Sequence, residues 1–251
     1  MNRTHLLLSL TVLAAAALSP AAWAEEDLSA LPSEQLFSIL RGGHLYDHWG
    51  KTTHQTLSHF TYPEYTRTQG EQQGPITWLC HECHGWDYLG DRGVYQSGPH
   101  FTNVHGIYPA RNYEPELLVA GLKEGHHKFG AFLKEADLKN LAEFIIHGQI
   151  YMNSHIDTST RKAKGDITKG KRLYQVICAE CHGEEGKKSP SAETSSPPVL
   201  GAVAKENPWM TFHRIRVGVV VTFDRAHPVL LTRPVQAQVD VLAYLQTLPA
   251  K

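Results

Sequence analysis

Methionine is scarce in this chain. There are three in 251 residues, and beyond Met1 only Met152 and Met210 remain. A soft thioether ligand for a metal therefore has just two places to come from. Charge of one sign is not in excess either, with 24 Lys and Arg against 25 Asp and Glu. That balance offers no basic stripe for nucleic acid and no like-charge run of the kind that keeps a tail unfolded. After the first two dozen residues no stretch is apolar enough to span a membrane. Cysteine is limited to four residues, too few for a dense disulfide framework. What the chain has in plenty is histidine, sixteen in all. Imidazole is the commonest metal ligand, so the surplus points toward metal chemistry.

The N-terminal residues read as a secretory signal. Arg3 supplies positive charge, Leu6 to Leu18 an apolar core, and Ala22-Trp23-Ala24 a small-x-small cleavage site before Glu25. The apolar run is shorter than the roughly 20 residues a spanning helix needs, and Pro20 ends it. The expectation is cleavage after Ala24 and a mature protein in the periplasm with no membrane span. The remaining length suits one large domain or two small ones.

All four cysteines fall in two matching frames, Cys80-His81-Glu82-Cys83-His84 and Cys178-Ala179-Glu180-Cys181-His182. C-x-x-C-H is the covalent haem attachment pattern. Two thiols at that spacing reach the two vinyl groups on one edge of a porphyrin, and the adjacent histidine projects under the ring to bind iron. A disulfide framework has no need of a histidine after each pair. A thioredoxin-like C-x-x-C would occur once, beside a βαβ pattern. A zinc site could take four thiols without the trailing histidines. Two haems c are expected, held by Cys80, Cys83, Cys178 and Cys181, with His84 and His182 on iron.

The surroundings repeat as well. Gly43-His44-Leu45-Tyr46 matches Lys171-Arg172-Leu173-Tyr174 in pattern, each on a helical stretch upstream of a motif. Leu117 to Gly121 and Phe212 to Gly218 read as middle helices, the second opened by Asn207 as N-cap and Pro208 as first helical residue. Leu138 to Phe144 and Val239 to Leu245 are terminal helices with apolar residues at i, i+3 and i+4. Residues 154–166, rich in Thr, Lys and Ser, read as a linker. The expected organisation is a signal at 1–24, a first domain at 25–153, a linker at 154–166 and a second domain at 167–251.

This order of elements resembles the class I cytochromes c, arranged as in two-domain dihaem cytochromes. The resemblance implies an all-α fold, two helical domains each wrapped around one covalent haem. The first domain departs from it through an insert at about 51–77, a loop placed either to shield the haem or to meet a partner, or simply packed on the surface. The resemblance also implies a distal Met-Pro between middle and terminal helices. No methionine stands there: Met210 comes too early, Met152 too late, and both read as packing residues. His227-Pro228 occupies that slot in the second domain, and Gly125-His126-His127-Lys128 fills the matching interval in the first. Bis-histidine ligation is therefore expected, His182 with His227 and His84 with His127 or His126. His127 is preferred because its distance from Cys83 is closer to that between His227 and Cys181.

Two imidazoles leave a haem at lower potential than a thioether would, and close the iron to substrates. That favours a carrier of electrons between redox proteins over an enzyme. The alternatives are a dihaem oxidoreductase acting on peroxide or a small sulfur or nitrogen compound, and a haem subunit of a larger complex. By resemblance, Pro99 and Pro198 would offer the carbonyls that hold the proximal imidazoles, while Trp209, Arg214, Arg216 and Arg111 are candidate donors to haem propionates.

Overall fold

Gly42 and Gly170 mark two helix crossings built alike. In the computed structural model, which describes residues 27–188, 199–219 and 229–251, α1 (Ser33–Thr53) meets α4 (Glu135–Glu143) so closely that a Cβ on Gly42 would lie 2.0 Å from the Asn140 carbonyl oxygen. In the second half α5 (Ile167–Ile177) meets α9 (Val235–Leu245), and a Cβ on Gly170 would lie 1.8 Å from the Asp240 carbonyl oxygen. Only glycine lets backbones approach this far. One turn along, Tyr46 packs on Phe144 and Tyr174 on Tyr244, with ring centres 5.6 and 5.3 Å apart.

Between each pair lie the shorter helices: α2 (Cys80–His84) and α3 (Pro115–Lys123) in the first half, α6 (Ala179–His182), α7 (Leu200–Glu206) and α8 (Pro208–Val217) in the second. Among the described residues there is no strand, only the isolated bridges Gly90–His105 and Ile156–Ala163. The all-α expectation holds. No described helix is long and apolar enough to cross a membrane. The expected signal at 1–24, Pro198 and His227 lie outside the described residues.

Local signals set the ends. Asp166 caps α5 by accepting from the Thr168 and Lys169 amides, and Asn207 caps α8 by accepting from the Met210 amide, both filling donors a helix start leaves open. Pro208 sits where its missing N–H costs nothing, and Gly218, at φ +81°, ends the helix. Met152 is fully buried and Met210 packs against the same core.

α8 lies along α1, so the halves share a seam. Arg214 donates twice to the Asp47 carboxylate, at 2.8 and 2.9 Å, and its guanidinium covers Trp86. His44 donates from Nε2 to the Val217 carbonyl at 2.7 Å. His213 donates from Nε2 to the Gly43 carbonyl at 3.1 Å, which leaves Nδ1 to accept from the Tyr88 hydroxyl at 2.8 Å. That tautomer is assigned from the partners, since a carbonyl only accepts. Arg216, fully buried, reaches Gln238 and the Gly148 carbonyl. Buried charge is tolerated here because each group is paired.

Candidate functional site

The first attachment motif forms the single turn α2, entered through extended Leu79 and left through Gly85 at φ +76°. Tyr46 donates its hydroxyl to the Gly85 carbonyl at 2.5 Å, tying the end of α2 to α1. His84 Nδ1 donates to the His105 carbonyl at 2.7 Å, and the Gly90–His105 bridge brings that carbonyl alongside. His127, in the loop between α3 and α4, places its ring centre 6.0 Å from that of His84. Its Nδ1 donates to the Gly121 carbonyl at 3.0 Å.

These hydrogen bonds decide what both rings can do. With each Nδ1 carrying the proton, each Nε2 keeps its lone pair for a metal. Burial first, then the neighbouring His127, pulls His84 down to about 4; burial likewise lowers His127. Both are neutral near pH 7, the form that ligates. A metal–imidazole bond is about 2 Å, so two rings on one iron stand about 6 Å apart, centre to centre. The observed separation fits that requirement. His126, beside it, is exposed.

Cys80, Cys83, Cys178 and Cys181 form no disulfide. Burial pushes Cys80 and Cys83 up to about 12 and Cys178 up to about 11. A redox-active C-x-x-C needs the opposite, a stabilised thiolate. No cluster of three or more His, Cys, Asp or Glu gathers as a metal site among the described residues.

The second motif repeats the construction. Tyr174 donates to the Gly183 carbonyl at 2.6 Å, and Gly183 turns the chain at φ +72°. The His182 carbonyl accepts from the Lys188 amide at 3.0 Å, as the His84 carbonyl does from the Gly90 amide at 2.9 Å. Burial lowers the His182 imidazole, and a hydrogen bond to the Lys188 backbone opposes this. Trp209 is buried with its indole nitrogen unpartnered among the described residues. A buried donor without an acceptor is costly, and a haem propionate would supply one. His227, the expected second ligand here, lies outside the described residues.

One expectation is corrected. The Pro99 carbonyl accepts from the Gln72 side chain at 3.0 Å and does not hold His84; His105 does. The arginines expected near propionates also have protein partners: Arg214 bonds Asp47, Arg216 bonds Gln238 and Gly148, and Arg111 bonds the Tyr108 hydroxyl at 2.7 Å. Residues that the pattern alone did not single out are Asp47, His213 and Trp86 at the seam, and the hydroxyls of Tyr46 and Tyr174. A signal for the tyrosines existed: Gly42 and Gly170 stand at the same offset before them, and a glycine follows each C-x-x-C-H.

These features define a redox haem protein. Residues 165–219 match the family described as Cytochrome C oxidase, cbb3-type, subunit III, so a cytochrome c-type domain, of a kind that holds haem c covalently, lies in the second half. No curated protein matches the chain. Among solved structures, thiosulfate dehydrogenase (TsdBA) from Marichromatium purpuratum, in its as-isolated form, is similar at 16% identity with a TM-score of 0.22. The match covers 90% of this chain and 49% of that one, so this chain spans about half that protein's length.

Proposed function

We propose that this chain is an exported, two-domain dihaem cytochrome c that passes electrons between redox protein partners of the periplasm. One haem would be held by Cys80 and Cys83 with His84 and His127 on iron, the other by Cys178 and Cys181 with His182 and His227. The observation that carries the reading is the His84–His127 pair, 6.0 Å apart with both Nδ1 atoms spent on carbonyls. Haem iron, when bound, takes up and gives back one electron at a time.

The chain's residues define the setting. The Gly121 and His105 carbonyls orient the two imidazoles and raise their basicity as ligands. Burial keeps the rings neutral, and buried Trp209 offers its indole N–H to a carboxylate. His84 with His127, and His182 with His227, would hold the iron through nitrogen and leave a substrate no free place on it, so the chemistry the haem would supply is electron transfer.

The test is the purified full-length protein from a host that attaches haem. Intact mass should show loss of residues 1–24 and two covalent haems. Both irons should be low-spin when oxidised and when reduced, and slow to bind carbon monoxide. Rapid stoichiometric binding at one haem, with steady turnover of peroxide or a small sulfur compound, would replace the carrier with an enzyme.

A further inference from the structure

The insert separates Tyr46 from the first motif, whereas Tyr174 stands one turn before Cys178. Its contacts converge on one loop. The Tyr62 hydroxyl donates to the His127 carbonyl. The Glu64 carboxylate holds the Lys128 ammonium at 2.7 Å. The Gln55 side-chain amide donates to the Phe132 carbonyl at 2.9 Å. The Tyr62 ring stacks on Phe129 with centres 5.7 Å apart, and Trp78 meets Phe132 edge-on at 5.2 Å.

The base from which these contacts are made is itself anchored. The Tyr62 amide donates to the Thr77 hydroxyl at 2.9 Å, Trp78 to the Phe60 carbonyl at 2.8 Å, and Trp49 to the Trp78 carbonyl at 2.8 Å. The loop has much less of its own. Glu124, Gly125 and His126 are exposed, and Gly125 and Lys128 both take left-handed backbone, at φ +62° and +52°. For Lys128 that conformation costs energy that something else must offset.

We propose that the insert is a clamp for the distal ligand, in which Tyr62 and Glu64 are positioning residues that hold His127 opposite His84 and keep the first haem's sixth position closed. This rests on the reading of His127 as a ligand. A ligand carried on a loop leaves the metal whenever the loop opens, and contacts made only in the closed state raise the closed population. The Tyr62 phenol is suited to the task. Its hydroxyl is a donor, and the His127 carbonyl is an acceptor that the open loop would give up. The clamp would make the reactivity of this haem a property of a segment that carries neither of its ligands.

The experiment uses the full-length dihaem protein and four variants, with carbon monoxide binding to the reduced form and the high-spin signal of the oxidised form as readouts. His127→Ala opens the first haem and so defines its difference spectrum. Tyr62→Phe keeps the ring stack and removes one donor; the open population at that same haem should rise about fivefold, the effect of losing one hydrogen bond. Adding Glu64→Gln should raise it further. Arg41→Gln, which breaks the Arg41–Asp137 ion pair between α1 and α4, should lower the melting temperature without opening the haem. If His127→Ala opens the haem while Tyr62→Phe and the double variant bind at the wild-type rate, the clamp is overturned and the ligation stands. If His127→Ala leaves both haems low-spin, the ligation reading fails and the clamp fails with it.

Discussion

In the first half the His84 ring is held by the carbonyl of His105, brought in across a bridge, and the loop bearing His127 is held by an insert. In the second half His182 is held by the backbone of Lys188, only a short turn onward. Behind this difference the two halves share a glycine crossing, a tyrosine hydroxyl on a glycine carbonyl, and a carbonyl-to-amide closure after the motif. The repeated parts are those that set backbone against backbone, where steric limits leave no latitude. The parts that diverge are loops, which tolerate insertion at little entropic cost. Two C-x-x-C-H turns of one geometry can thereby differ in how firmly the histidines beside them are held.

The largest effect that would break this comparison is loss of a haem. Cys80→Ser with Cys83→Ser, and separately Cys178→Ser with Cys181→Ser, should each lower the intact mass by one haem and leave the other haem's spectrum in place. A pair of changes that removes both haems would mean the halves do not mature independently.

Next in size are the crossings. Gly42→Ala and Gly170→Ala each push a methyl into a carbonyl oxygen of the facing helix, so each should destabilise by about 3 kcal/mol. Denaturant melts of the two variants should agree. A harmless Gly42→Ala would show that the first crossing is looser than the second.

The seam supplies a pH test of whether the halves unfold together. Burial alone would raise Asp47, but the hydrogen bonds and charge of Arg214 outweigh it and bring the carboxyl from 3.8 down to about 2. A carboxyl depressed by folding stabilises above its unfolded pKa, and that contribution disappears as pH falls through the folded value. Stability should therefore drop by roughly 2 kcal/mol between about pH 4 and pH 2, and less if solvent at the partly exposed Arg214 screens the pair. The comparison is with Asp47→Asn, whose melts should lack this component. If wild type and variant lose stability in parallel, the pair does not hold the seam.

Smallest are the paired hydroxyls. Tyr46→Phe and Tyr174→Phe should cost about 1 kcal/mol each, with somewhat more at Tyr46, whose bond to the Gly85 carbonyl is buried while that of Tyr174 to Gly183 is only partly so. Equal losses in calorimetry would show that the insert adds nothing to the attachment turn itself.

Much of the site was readable in the chain. C-x-x-C-H is a local covalent pattern, so its chemistry depends on spacing and not on the fold. The duplication, the capped start of α8 at Asn207 and the absence of a methionine between middle and terminal helices are equally properties of the string. So was the pair His126-His127, but not the choice between them. Adjacent residues on a loop point in different directions, and only packing on Gly121 and Tyr62 turns His127 toward His84 and leaves His126 in solvent. The partner of His84 was beyond reach for the same reason, because a carbonyl is present at every residue and carries no sequence mark. Spacing marked the two C-x-x-C-H frames at which haem attachment is proposed. Tertiary structure alone decided which imidazole faces which, that the insert grips the distal loop, and that Arg214 answers Asp47, since each depends on a meeting between residues far apart in the chain.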